Sequence, residues 1–183
     1  MLTERMVQNI LAKWLIEKKR HPLLAPNSKM FDWESDMVSL SRGRLAHEYE
    51  IKCGDQDFLR DRATKENKFD LLARYAYADQ FDRGDDRRID VTSKWASAEV
   101  PAYFWYVLGD IKPPTDVALP SWAGVIFIER TKRNTFIPDV LREAQRLHEI
   151  KVTKDMMIAV LTRTHDAYWQ RRVRVRRDRG KAT

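Results

Sequence analysis

The sequence predicts an α/β fold, a mixed central β-sheet flanked by α-helices. Three observations carry this. Helical periodicity marks both ends of the chain, short strand-like runs fill the middle, and the resulting order is α-β-β-α-β-β-α-α. The 183 residues fit one domain, and 43% hydrophobic content suffices for a packed core. The domain is expected over 1–170, followed by a basic C-terminal tail at 171–183.

Residues 4–20 read as an amphipathic helix. Met6, Val7, Ile10, Leu11, Trp14 and Leu15 recur at helical spacing, and Thr3 is a suitable N-cap. Pro22 and Pro26 then predict a loop. Residues 35–41 and 45–52 read as two strands joined by a turn at Ser41-Arg42-Gly43-Arg44, with Gly43 expected to supply the permissive backbone. Residues 55–81 read as helical, and the polar stretch 82–99 as a loop. Tyr103–Leu108 and Gly124–Glu129 are apolar, aromatic and branched, as suits strands buried on both faces. A Pro-bearing connection at 112–120 separates them. Helices are expected at 138–149 and 153–172.

Charge and cysteine content narrow the function classes. The net charge is +7, from 34 basic and 27 acidic side chains. Residues 171–183 alone carry seven basic side chains and one acid, so the rest of the chain is nearly neutral. Arg171, Arg172, Arg174, Arg176 and Arg177 fit a phosphate-backbone contact or, equally, a solvated end. The single Cys53 excludes an intramolecular disulfide and a cysteine-based zinc site. The four histidines are dispersed without zinc-helix spacing. No window approaches a membrane span and no leader is evident, so a soluble cytoplasmic protein is expected.

The chemistry is concentrated in Trp33–Val38 and Glu48–Lys52. On a strand, Glu48, Glu50 and Lys52 point to one face, while His47, Tyr49 and Ile51 point to the other. Buried strand positions normally avoid charge. An acid on one strand beside an acid-x-lysine on the next therefore gathers two carboxylates and an ammonium. Metal-dependent phosphodiester hydrolysis needs such a set. Asp36 and Glu50 would hold Mg²⁺ or Mn²⁺, and Lys52 would orient water or stabilise charge on phosphorus. In this D…ExK motif the carbonyl of Ile51 is the implied third ligand. Spacing alone is equally compatible with two salt bridges on a hairpin.

The run WESDMVSLSRGRLAHEYEIKCGDQDFLRDRATKENK resembles the MmcB-like branch of the PD-(D/E)xK nuclease superfamily, associated with DNA repair in bacteria and phages. Glu34, Asp36, Glu48, Glu50, Lys52, Asp57, Phe58, Asp61, Lys65 and Lys68 fall on that pattern. The aromatic strand at 100–107, Leu119–Ile126 and Ala144–His148 extend the likeness over about residues 30–172. It departs at Gly54-Asp55, where the family often has Ser-Arg, and at Gln145, which replaces a proline. The resemblance implies a restriction-endonuclease-like fold and Mg²⁺-dependent cleavage of DNA. The alternative on the same fold is a silent DNA-binding or interaction module. Many nucleases of this fold act as homodimers, but no residue here identifies an interface.

Further candidates each have a structural alternative. Glu34 reads as a supporting acid or as a partner for an arginine. Glu17 matches the first-helix acid of the superfamily, although pairing with Lys13 or Arg20 is the favoured reading. Asp57 would cap the following helix or help orient Lys52. Lys65 and Lys68 would touch phosphate or line a solvated face. The aromatic run at 103–106 reads as core.

Overall fold

The computed structural model describes residues 2–54, 56–57, 65–77, 99–111, 119–133 and 135–180, without the side chains of 169 and 171–180. The expectations for Asp55, Phe58, Leu59, Asp61, nearly all of the 82–99 loop and most of the 112–120 connection lie outside the described residues, as do the tail arginine side chains.

Six strands form one sheet in chain order: β1 (Leu23–Ser28), β2 (Ser35–Leu40), β3 (Ala46–Lys52), β4 (Tyr103–Gly109), β5 (Gly124–Arg130) and β6 (Phe136–Arg142). Neighbours pair antiparallel except β3–β4 and β4–β5, which are parallel. The predicted mixed sheet with flanking helices is therefore present, an α/β fold compatible with a restriction-endonuclease-like arrangement. The helices are α1 (Glu4–Trp14), α2 (Glu66–Ala76) and α3 (Lys154–Gly180). α2 lies between the parallel strands β3 and β4, as a crossover requires.

Both faces of the central strands are covered, which explains their continuous apolar runs. On one face Val7, Leu11 and Leu15 pack on Met37, Tyr49, Ile51, Trp105, Val107 and Ile126. On the other, Leu72 and Tyr75 of α2 pack with Phe104, Tyr106, Leu108 and Val125. A smaller cluster joins Val38, Leu40 and Ala46 to Phe31 and Val152, with Met156 and Met157 of α3 against it. Thr3 caps α1 as expected, its hydroxyl accepting from the Met6 N–H at 3.4 Å. The helix then widens into a π-helical turn, Leu15–Lys19, and stops at Arg20 in the left-handed region (φ 55°).

Four expectations change. The Pro-bearing loop contains β1, which tolerates Pro26 because it is an edge strand. Residues 136–142 form β6, where a helix was expected from 138. β6 also carries a proline, Pro138, and its side chains alternate between half-buried and exposed. At 138–149, Val140, Leu141, Ala144 and Leu147 happen to satisfy helical spacing as well, and pairing with β5 decides the outcome. In the β2–β3 turn the left-handed residue is Arg44 (φ 63°), not Gly43. Finally, α3 continues to Gly180. The backbone of the basic run at 171–180 is thus helical, where the helix was expected to end at 172. Among the described residues, no helix is long and apolar enough to cross a membrane.

Candidate active site

Strand alternation brings the predicted triad together. The β2–β3 register sets Met37 opposite Tyr49 and Val38 opposite Glu48. Continuing it one step sets Asp36 opposite Glu50, on the sheet face that α2 covers. Glu48 and Glu50 are 0% and 1% exposed. Two carboxylates buried this deeply need compensating charge.

Three lysines supply it. Lys52 Nζ donates to Glu50 Oε1 at 2.9 Å. Lys68, from α2, lies 2.7 Å from Glu50 Oε2 and 2.8 Å from Glu48 Oε1. Lys65, just before α2, also pairs with Glu50 Oε1. Lys68 is only 4% exposed. Its ammonium sits 5.0 Å from the Phe104 ring centre and 5.6 Å from that of Trp33. The Trp33 indole N–H donates to Glu48 Oε1 at 2.8 Å. Burial opposes the charge on Glu50, but Lys68, Lys52 and Lys65 outweigh it and hold the carboxyl well below its ordinary range. Burial likewise opposes the charge on Lys68, and Glu48 and Glu50 hold it above the usual lysine range.

Asp36 is in the opposite situation. Burial and the neighbouring Glu50 raise its pKa to about 7, against the Ile51 N–H and Lys65, while Glu4 raises it further. Its Oδ2 accepts from the Ile51 N–H at 2.6 Å. A strand residue sends its N–H and C=O to the same side, so the Ile51 carbonyl also leaves β3 on Asp36's side. Asp36, Glu50 and that carbonyl thus lie at the same end of the β2–β3 ladder.

The supporting residues fall out differently. Lys68 is a buried counter-ion and lines no solvated face, whereas Lys65 pairs with Glu50 while 29% exposed. Asp57 accepts from the Cys53 N–H at 3.0 Å and so braces the turn that follows Lys52. Glu34 is exposed and lines a cleft between the β1–β2 connection and α3. Glu17 is exposed on the π-helical turn.

Sequence reasoning missed Glu4 and Gln8. Gln8 Nε2 lies within hydrogen-bonding distance of Glu4 Oε1 (3.0 Å), Asn27 Oδ1 (2.9 Å) and the Asp36 carbonyl (3.0 Å). α1 thereby brings its own acid to the Asp36 side, but it is Glu4 and not Glu17. The signal was present: Gln8 falls at helical spacing with the buried Leu11 and Leu15, a polar residue on an apolar face. The counter-ion role of Lys68 and the anchoring of Glu48 by Trp33 were also missed.

No protein-family model matches the chain, and no curated protein matches it. Among solved structures, SPO1766, a protein of unknown function from Silicibacter pomeroyi, is similar with a TM-score of 0.54 and 12% identity. The match covers 98% of this chain and 94% of that one. At this identity the likeness is one of fold.

Proposed function

We propose that the chain is a metal-dependent DNA nuclease of the PD-(D/E)xK type, using Asp36, Glu50 and Lys52. The observation that carries this is geometric: the Asp36 carboxyl, held by the Ile51 N–H, lies beside the buried Glu50 at one end of the β2–β3 ladder, where a cation would offset its burial and the repulsion from Glu50. The donor set fits a hard divalent ion. Asp36, Glu50 and the Ile51 carbonyl would hold Mg²⁺ or Mn²⁺, which keep several water ligands and do not require a third acidic side chain. This matters because the described residues include no cluster of three His, Cys, Asp or Glu able to hold a metal. Bound there, the ion would polarise a phosphoryl oxygen and acidify a water.

The chain's own residues do the rest. Lys52, beside Glu50, orients the attacking water or stabilises the charge that builds on phosphorus. Lys68, Glu48 and Trp33 hold Glu50 in place through a buried network. Lys65 is the partly exposed member of the cage and the one able to turn from Glu50 towards a phosphate. The basic end of α3 supplies charge suited to a DNA backbone.

One observation favours a second reading. Both oxygens of Glu50 are engaged by ammonium groups. A silent DNA-binding module could keep this cage as a closed salt-bridge network. Purified protein incubated with branched, single-stranded and duplex DNA plus Mg²⁺ or Mn²⁺ separates the two. Cleavage that needs metal and disappears in Glu50→Ala and Lys52→Ala, both checked for folding by circular dichroism, supports the nuclease. DNA binding without cleavage by the parent protein supports the silent module.

A further inference from the structure

The opposite face of the sheet carries a second concave site. Strand alternation sends His47 and Tyr49 away from Glu48 and Glu50. There, beneath the C-terminal end of α1, lies a cavity of about 240 Å³ lined in part by Lys19, His21, His47, Tyr103, Trp105 and Glu143. A single water needs only about 10–15 Å³ on this measure, so the space holds much more than one. It falls below the roughly 300 Å³ at which drug-sized sites begin, which suits one or two fused rings.

The wall is flat. His47 stacks on Tyr103 with ring centres 4.4 Å apart and planes 13° apart. His47 and Trp105, and Tyr49 and Trp105, are within 19° and 18° of parallel. Rings aligned this way present a slot for a planar ligand more readily than a rounded apolar void.

The hydrogen-bonding direction of the wall is also set. Trp105 Nε1 can only donate, and it lies 3.3 Å from His47 Nδ1. His47 Nδ1 must therefore accept, so the neutral ring carries its proton on Nε2. Nε2 has no hydrogen-bond partner among the described residues. Burial, with His21 and Lys19 nearby, lowers the His47 pKa to about 3, so the ring is neutral and this donor persists at physiological pH. His21 is oriented in turn through Ser39 Oγ at 2.7 Å, which lies 3.1 Å from the Tyr49 hydroxyl. The π-helical turn contributes Leu15 and Lys19 to the lining. Such wide turns occur frequently at functional sites.

We propose that this cavity binds a planar heteroaromatic ring of the nucleobase type, stacked on the parallel aromatic wall and accepting a hydrogen bond from His47 Nε2–H. The site is independent of the hydrolytic reading, since it uses none of the carboxylates or lysines on the other face. A nucleobase could arrive as a free nucleoside or as an unpaired base of a strand. Both present the same ring and acceptor, and experiment can tell them apart.

Trp14 and Trp105 line the cavity, so intrinsic fluorescence reports occupancy. The full chain would be titrated with adenosine, cytidine, a single-stranded oligonucleotide, an abasic strand of equal length, and toluene. Saturable quenching by a nucleoside or by the base-bearing strand, at or below about 1 mM, is expected. His47→Phe keeps a flat ring without the donor and should weaken binding about tenfold. Ala144→Leu narrows the cavity and should abolish binding, which keeps the test decisive if the histidine variant does not fold. Quenching by nucleosides assigns a free ligand, and quenching by the base-bearing strand alone assigns an unpaired base. Four results would each overturn the proposal: no saturable change with any base, unweakened binding by folded His47→Phe, equal binding of toluene, or equal quenching by the abasic strand.

Discussion

Replacing Lys68 by methionine tests the buried cage most directly. The substitution keeps the length and apolar stem of the side chain and removes only the ammonium. Two contacts go with it, 2.8 Å to Glu48 and 2.7 Å to Glu50. Glu50 keeps Lys52 and Lys65, but Glu48 is left with the Trp33 indole and one oxygen, Oε2, that is already buried without a hydrogen bond. Removing one partner of a buried ion pair costs about 3–5 kcal/mol, because the remaining charge stays desolvated. For a domain of this size, about 2–4 °C of melting temperature accompanies each kcal/mol, so Lys68→Met should melt roughly 6–20 °C lower. The loss should depend on pH with a definite sign. Glu50 has a depressed folded pKa, so its ionisation contributes stability that is present above the unfolded carboxylate range and lost as pH falls through the folded value. Lys68 is the largest cause of that depression, so the gap between parent and variant should narrow as pH drops below about 4. Urea unfolding at neutral and acidic pH measures both quantities. A loss under about 1 kcal/mol at neutral pH, or a gap that does not change with pH, would refute the argument that Lys68 is the essential counter-ion.

Asp36→Asn should behave in the opposite way. The folded pKa of Asp36 is about 7, above its unfolded value, so the parent protein loses stability as pH rises from about 4 to 7 and the amide does not. In metal-free buffer the variant should gain on the parent across that window, and a constant difference between pH 3 and pH 8 would contradict it. Lys65→Met, which removes the most exposed member of the cage, should tighten Mn²⁺ binding about tenfold by calorimetry while lowering the unfolding midpoint less than Lys68→Met does; unchanged Mn²⁺ affinity would show that Lys65 does not compete with a cation. Gly124→Ala should destabilise by about 1–3 kcal/mol in thermal melts. A Cβ there would lie 2.3 Å from Trp105 Cε3 and 2.8 Å from the Ala144 backbone nitrogen, so a variant as stable as the parent would mean that this contact relaxes freely.

Much of the site was legible because alternation along a strand is a local property. Glu48, Glu50 and Lys52 share a face wherever β3 is placed, and the tight β2–β3 turn brings Asp36 to the same end. The apolar runs of β4 and β5 likewise announced strands covered on both sides. Edge strands were less legible. β1 and β6 are only partly covered and each carries a proline, so their local signals read as loop and helix, and only pairing with β2 and β5 makes them strands.

The amino-acid order alone placed two acids and a lysine where they could share a target, since side-chain direction along a strand follows from backbone geometry. It did not show how their charges are balanced. Lys65 and Lys68 lie more than a dozen residues beyond Glu50, and their spacing fits a solvated helix as well as a buried one. The packing of α2 on β3 and β4 turns Lys68 into a counter-ion, because burial makes an unpaired carboxylate intolerable. The seating of α1 against β2 likewise brings Glu4, and not Glu17, towards Asp36. These pairings depend on distance through space, which sequence spacing does not encode.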